Sequence, residues 1–357
     1  MRVGLAIVLM VTFVVILPAD GHCKYRDAFR EMFFTRQPGA RGEAMGRGGV
    51  ALTGDILSSF YNPAGLVEDT GLTLCISGSS HYYSLDEADY LFLGASLPLG
   101  RWGAVGLSRY RFEEETTFIG PHGPGNPNEF PASKLWLYAL TFAAEPSRQL
   151  YIGANLNLMR ADYGLAEDNV VWPDFGLVKI FGGKMGRALG HWVKIGTSIS
   201  NFTYSSADVE DGQEDLPVTL RIGSSYWLVW NHPSWVARFR TLRFVAHLEY
   251  QDLLNSDLHD GFKLGTEVSL LEILSLRIGR YWEKIDDLGH PDRNKDSLDE
   301  TTYGFGLALP VNRLTEGRVP LVLSFDWVRL EQPNLTHQPA SWEKYPIYTI
   351  CAAWHLK

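Results

Sequence analysis

The feature that most constrains the fold is an alternation of apolar and polar residues that recurs in segments of about ten residues. In residues 150–158 every even position is apolar, whereas the odd positions hold Tyr, Gly and Asn. The same pattern recurs in residues 242–251, 262–270 and 321–328. A period of two is typical of a β-strand whose faces lie in unlike environments. A soluble β-sandwich alternates too, so this pattern alone does not identify a membrane barrel.

The lengths of the connections favour the barrel. Alternation and turn residues predict fourteen strands, at 71–80, 89–98, 102–112, 133–144, 149–161, 174–182, 191–202, 217–230, 240–251, 261–270, 273–283, 301–310, 319–331 and 346–357. Connections after odd-numbered strands are mostly long and acidic, and those after even-numbered strands are shorter and more basic. Long external loops and short periplasmic turns produce this alternation. The sequence therefore predicts an all-β fold, a transmembrane antiparallel β-barrel of about fourteen strands over residues 71–357.

The N-terminus predicts export. Arg2 precedes an uncharged stretch over residues 3–18, and small residues follow at positions 19 and 21. We interpret residues 1–21 as a signal peptide, because an anchor helix needs roughly 20 apolar residues. Cys23 leaves lipidation open as an alternative. We expect the mature chain in the bacterial outer membrane, in contact with outer-membrane lipids and lipopolysaccharide.

Charge and motifs argue against several other functions. A net charge of -9 offers no basic surface for nucleic acid. The glycines of residues 46–51 match part of a dinucleotide fingerprint, but no strand precedes them. Residues 292–296 resemble the start of a calcium loop, which leaves open whether the acidic loops bind divalent cations. His247 and Glu249 share one strand face, and we interpret them as polar lining rather than an acid/base pair. We predict no enzyme, cofactor or metal site.

A fourteen-stranded barrel leaves a lumen that needs a plug, and residues 22–70 are the candidate. Glycines allow this segment to approach the wall closely, Asn62 before Pro63 fits a turn, and Arg41 is expected to pair with an inward Glu.

Three motifs stand in this segment, at residues 38–41, 45–51 and 60–66. Together they resemble the N-terminal region of the FadL/PorV superfamily of outer-membrane proteins, the PorV-like branch most closely. The resemblance implies a fourteen-stranded barrel whose N-terminus forms a hatch inside the lumen. The hatch residues it implies are Gly39, Arg41, Met45, Gly46, Gly48, Gly49, Asn62, Pro63 and Gly65. One branch of the superfamily passes long-chain fatty acids and other hydrophobic compounds, whereas the PorV-like branch serves type IX secretion.

Strand parity predicts which side chains face the lumen. The polar candidates are Arg221, Arg243, His247, Glu249, Glu267, Arg277 and Asp326. Phe92, Tyr151 and either Trp136 or Leu137 are aromatic or apolar candidates, since the register of strands 2 to 4 is ambiguous. A plugged lumen predicts the binding or passage of a small hydrophobic ligand. The alternative is a protein-interaction role with secretion-machinery proteins. A continuous aromatic lining would favour the first function, and a lumen filled by ion pairs the second.

The two strand cysteines are predicted to be neighbours. A closed barrel pairs its first strand with its last, and parity places both Cys75 and Cys351 on the lumenal face near the periplasmic end. Opposed residues of paired strands have Cβ atoms roughly 4.5–5.5 Å apart, and exported proteins meet oxidising conditions. A disulfide between them is therefore one expectation, and proximity without a bond is the other.

Overall fold

The alternating segments form antiparallel strands that close on themselves into a barrel. The computed structural model describes residues 38–79, 88–114, 133–162, 167–186, 188–202, 216, 218–231, 242–254, 260–284, 297–334 and 341–355. The predicted signal peptide, Cys23 and the calcium-like segment at 292–296 lie outside these residues. Within the described part of the chain, no helix is both long and apolar enough to cross a bilayer.

Fourteen strands are present in the described residues, and each pairs with its neighbours in sequence. The strands are β1 (Gly71–Ser79), β2 (Ala88–Pro98), β3 (Ala104–Glu114), β4 (Ser133–Ser147), β5 (Leu150–Asp162), β6 (Glu167–Met185), β7 (Leu189–Ser200), β8 (Thr219–Trp230), β9 (Leu242–Leu253), β10 (Gly261–Leu270), β11 (Leu274–Lys284), β12 (Ser297–Leu309), β13 (Leu321–Asn334) and β14 (Ser341–His355). The pairing of β1 with β14 closes the sheet. The predicted antiparallel barrel of about fourteen strands is confirmed.

The alternation in sequence becomes an alternation of environment along each strand. In β10, Lys263, Glu267 and Ser269 are buried on the lumenal face, whereas Leu264 and Val268 are exposed on the outer wall. The outer wall also carries exposed Leu, Ile, Phe, Tyr and Trp side chains on the other strands. An apolar outer face with a polar interior is the arrangement that a lipid bilayer requires of a barrel.

Strand β6 is longer than predicted. It begins at Glu167 instead of residue 174, so that only four residues separate it from β5. Pro173 lies inside the strand, opposite Leu156 of β5, whereas the pairing with β7 begins only at Phe175. Pro173 therefore removes no hydrogen bond from the β7 ladder, which is the condition for a proline within a strand. The connection between β5 and β6 is thus an exception to the predicted long loops.

Short helices precede β1 inside the barrel. They are α1 (Ala40–Ala44), α2 (Ser58–Tyr61) and a 3₁₀ helix (Pro63–Glu68). Helix α1 contacts strands β11 to β14, and the 3₁₀ helix contacts β3 to β6 on the other side of the lumen. Outside the lumen, a 3₁₀ turn (Gly100–Trp102) joins β2 to β3 and α3 (Val311–Leu314) joins β12 to β13. Residues 38–70 therefore cross the interior before the first strand begins. We call them the plug.

Candidate functional site

The plug crosses the lumen where the wall carries glycines. A Cβ atom on Gly265 or Gly279 would collide with the backbone of Met45 and Gly46. Gly46 itself has a φ of 74°, which favours glycine, and its N–H donates to Thr302 Oγ1 at 3.1 Å. Backbone contact between plug and wall thus requires glycine on both sides.

Other predicted hatch glycines fit closely inside the plug or against the wall. A Cβ on Gly39 would contact Leu57, one on Gly49 the Tyr61 ring, and one on Gly65 the Ser58 side chain. Gly48 faces the wall, where a Cβ would collide with the His247 ring.

Glu249 holds the centre of the plug through backbone donors. Its carboxylate accepts hydrogen bonds from the N–H groups of Gly49 at 2.7 Å and Val50 at 2.8 Å. Lys263 and Arg221 approach the other carboxylate oxygen at 3.8 and 3.9 Å. Two residues before Glu249 on the same strand face, His247 Nε2 lies 2.6 Å from the carbonyl oxygen of Met45. The pair that resembled an acid/base couple therefore contacts plug backbone.

Glu267 is the common partner of three arginines. The carboxylate is fully buried, and it accepts hydrogen bonds from Arg41 of the plug at 2.9 Å, Arg243 at 2.9 Å and Arg277 at 2.6 Å. Arg277 also donates to Asp326 at 2.6 Å. We call these five residues the Glu267 cluster. Arg41 thus pairs with an inward Glu, and four of the seven predicted polar lumen residues meet here.

Asn62 joins the plug to the opposite wall. Its Nδ2 donates to the carbonyl oxygens of Val50 at 2.9 Å, Leu177 at 3.1 Å and Thr197 at 3.3 Å. Its Oδ1 accepts from Ala64 N at 3.1 Å, which caps the 3₁₀ helix that begins at Pro63. The side chain is fully buried with all these polar atoms satisfied. Asn62 therefore connects the plug to the wall by hydrogen bonds, and it also forms the turn that the sequence indicates.

Sequence reasoning missed a second buried ionic group. Arg47 forms an ion pair with Glu283, lies 3.6 Å from Glu43, and stacks over the Tyr281 ring at 4.6 Å. All three charged side chains are buried. Part of the signal was present, because Glu43 and Arg47 lie four residues apart, although Glu43 falls between two of the hatch motifs. A Glu and an Arg at this spacing can pair with each other, so the sequence gives no sign of the third member, Glu283 on the wall.

Two plug carboxylates lie toward the turns. Burial raises the pKa of Asp55, although the nearby Arg41 opposes the shift. Burial also raises the pKa of Asp69, against hydrogen bonds from Ser96 and Thr73. Lys194 contacts Glu68 at 2.5 Å near the same end. Charged groups therefore surround the plug on its turn side.

The loop side of the lumen holds a large cluster of apolar and aromatic side chains. Its buried wall side chains are Tyr90, Phe92, Tyr110, Phe112, Leu135, Leu137, Met159, Val170, Trp172, Tyr281 and Leu298. They meet Phe60 of the plug, whose ring centroid lies 5.7 Å from that of Tyr110. Phe92 and Leu137 face the lumen, which resolves the ambiguous register. Trp136 is on the outer face, opposite Arg111 and Arg160.

Plug residues line a cavity on each side. Beside Phe60, a cavity of about 30 Å³ is bordered by Asn155, Asp174 and Arg221. On the turn side, a vestibule of about 1640 Å³ extends from Arg41 and Asp55 toward the periplasmic turns, and Tyr151 lies in its wall. An aromatic lining and buried ion pairs therefore coexist in one lumen.

The two strand cysteines lie opposite each other across the closing seam. Cys75 of β1 and Cys351 of β14 are register partners, and their Cα atoms are 4.2 Å apart. The structure joins them in a disulfide bond, so the first and last strands are linked covalently.

A larger residue at Gly279 should displace the plug. Gly279→Val would place methyl groups where Met45 and Gly46 now run, whereas a β-branched residue is otherwise well suited to a strand. We expect higher single-channel conductance in planar bilayers. Gly183→Val is the matched control, because no atom lies within 4 Å of a Cβ at that strand glycine. Equal conductance of both assembled variants would contradict this placement of the plug.

The fold of the chain is similar to the folds of several solved structures. The chain is similar to the monoaromatic hydrocarbon channel CymD, with 12% identity and a TM-score of 0.52 over 90% of this chain and 98% of that one. A deltaS2S3 mutant of the monoaromatic hydrocarbon channel TodX gives 12% identity and a TM-score of 0.54 over 90% and 99%. A Pseudomonas aeruginosa FadL homologue gives 10% identity and a TM-score of 0.48 over 90% and 99%.

No protein-family model matches the chain, and no curated protein does so either. At these identities the first two similarities, with TM-scores above 0.5, establish a fold. The protein therefore has the fold of the solved channels CymD and TodX, a closed antiparallel β-barrel that has fourteen strands in the described residues here and holds residues 38–70 inside its lumen.

Proposed function

We propose that the barrel binds or passes a small hydrophobic molecule across the bacterial outer membrane. The observation that carries this proposal is the apolar loop-side lining, which reaches the plug at Phe60. Sites for small molecules are mostly apolar with a few polar groups, and here Asn155, Asp174 and Arg221 supply such groups beside Phe60. The solved structures of similar fold include channels described as carrying monoaromatic hydrocarbons, which supports the same class of ligand.

The ligand is proposed to enter from the loops and to stop at the plug. Tyr110, Phe92 and Phe60 form consecutive aromatic contacts, with Phe92 and Tyr110 centroids 5.0 Å apart. Further movement toward the turn-side vestibule requires the plug to shift, because Asn62 and the Glu267 cluster fasten it to opposite walls. Long-chain fatty acids and monoaromatic hydrocarbons are the two ligand classes to compare.

A second candidate is the PorV-like role, in which the barrel holds exported proteins beside a type IX secretion machine. The buried ion pairs around Glu267 and Glu249 favour it, because a lumen fixed by many charges suits a rigid scaffold. The turn-side vestibule would then be the surface offered to a periplasmic protein partner.

Uptake measurements separate these functions. Cells that carry the protein are expected to take up labelled oleate or toluene faster than cells without it. Phe60→Ala should remove most of this gain, because Phe60 is the point where the apolar lining meets the plug. Phe305→Ala is the control, since Phe305 lies on the outer wall against Trp327. Equal uptake with and without the protein, for both compounds, would contradict the transport proposal and leave the scaffold candidate.

A further inference from the structure

The outer wall of β3 to β5 carries a cluster of arginines on its lipid-facing side. Arg109 and Arg111 point outward from β3 and Arg160 from β5, in register with Tyr138 and Trp136 of β4 between them. The Arg109 guanidinium lies 5.7 Å from the Tyr138 ring centroid, and that of Arg160 lies 6.0 Å from the Trp136 ring. Aromatic side chains of this kind are typical of the membrane interface. The cluster is therefore held against the wall at that level.

The position along the strands places the cluster toward the outer leaflet. Arg160 lies two residues from the end of β5 at Asp162, and Arg111 lies three residues from the end of β3 at Glu114. Both strands end at the long-loop side of the barrel. Short turns face the periplasm and long loops face outward in barrels of this type.

Arg111 has a carboxylate partner, whereas Arg109 has none among the described residues. Glu113 contacts Arg111 at 3.5 Å and Lys134 at 3.4 Å. Arg109 lies one row deeper, and among the described residues no carboxylate forms an ion pair with it. An arginine on the lipid face is unfavourable unless an anionic group accompanies it. The missing group is expected to come from the lipid side.

An apolar groove begins beside Arg109. It has a volume of about 820 Å³ and is lined by Leu93, Leu107, Leu140, Leu156 and Leu158. The small side chain of Ala95 faces outward between Leu74 and Leu107, which leaves the wall recessed there. Arg109 thus lies directly beside the groove, at the end that is nearer to the loops.

We propose that this wall is a binding site for an anionic outer-leaflet lipid of the lipid A type, with a phosphate on Arg109 and an acyl chain in the groove beside Ala95. Arginine suits phosphate because its planar guanidinium donates two parallel hydrogen bonds. Leucine side chains supply the apolar surface that an acyl chain buries. The site is on the outside of the barrel and does not depend on the function of the lumen.

The charge arm of the test uses native mass spectrometry of the barrel in neutral detergent, titrated with purified bisphosphorylated lipid A. Arg109→Gln is expected to weaken binding about tenfold, the loss of one charge-assisted contact. Arg101→Gln is the matched control, because Arg101 also stacks on a neighbouring aromatic, Trp102, at 5.0 Å, but lies at a periplasmic turn. Its affinity should equal that of the unaltered protein. Equal affinity of both variants would overturn the proposal.

The second part of the test leaves the arginines unchanged and fills the recess at Ala95 with a larger side chain. Ala95→Trp is expected to weaken lipid A binding, whereas Ala246→Trp, at an outward position of β9, should leave it unchanged. Dephosphorylated lipid A should bind the unaltered protein more weakly, and inorganic phosphate should not compete. Equal binding of both lipids, or full competition by phosphate, would contradict a lipid site. A heat-dependent shift in gel mobility verifies that each variant is a folded barrel.

Discussion

Replacing Glu267 with Gln is expected to loosen the plug and to lower the stability of the barrel. The carboxylate is fully buried between Arg41, Arg243 and Arg277, so its loss leaves three guanidinium groups with one charge fewer to balance them. Removing one partner of a buried ion pair typically costs roughly 3–5 kcal/mol. We expect the low end of this range, because the amide still accepts a hydrogen bond, and Asp326 and Asp55 remain near Arg277 and Arg41.

The loss of stability should mainly affect the position of the plug, because Arg41 is the member of the Glu267 cluster that belongs to the plug. A change of about 3 kcal/mol raises the population of a displaced plug roughly a hundredfold. Single-channel recordings should therefore show openings that the unaltered barrel lacks. The temperature at which the SDS-resistant form converts to the unfolded band should fall as well.

Glu331→Gln provides the control for this experiment. Glu331 pairs with Lys344 at 3.3 Å, but both side chains are more than 40% exposed. Exposed pairs contribute roughly 0–1 kcal/mol, so the variant should behave as the unaltered protein does. If Glu267→Gln showed no more openings than Glu331→Gln, the Glu267 cluster would not be what fastens the plug.

The sequence predicts a strand and the orientation of its faces only where the lumen and the lipid select different residue types. Residues 262–270 alternate charged and apolar side chains, and both the strand and its faces follow from that pattern. In β4, Leu135 and Leu137 on one parity and Tyr138 and Leu140 on the other are all apolar. Only the pairing partners assign their faces there, because apolar loop-side lumen and lipid select the same residue types.

The site shows the same limit. Inward parity placed Glu267, Arg243 and Arg277 in the lumen, and a plug arginine needed an inward Glu. Which Glu this is depends on the stagger between neighbouring strands, and the alternation of residues along a strand does not determine that stagger. The ion pair between Arg47 and Glu283 was not predicted, because it joins the glycine-rich motif of the plug to the loop end of β11. Contacts between the plug and the wall thus require the three-dimensional path of the plug.

Replacing both Cys75 and Cys351 with Ser is expected to weaken the closing seam. The disulfide links residues 276 positions apart and joins β1 to β14. A cross-link over so long a loop contributes about 5–6 kcal/mol when it acts through the entropy of the unfolded chain. Reductant should therefore lower the conversion temperature of the unaltered barrel on SDS gels, and it should have no effect on the double variant. After boiling without reductant, the cross-linked chain should also migrate faster than the reduced one.

Cys23 supplies the control for the seam, since it is the third cysteine of the chain. Cys23→Ser should keep both the reductant effect and the fast-migrating band. Maleimide labelling of the unreduced, unfolded protein should modify no cysteine of β1 or β14, because a disulfide sulfur offers no thiolate to the reagent. Labelling at Cys75 and Cys351 in protein taken directly from the outer membrane would show that the ladder of β1 and β14 alone closes the barrel.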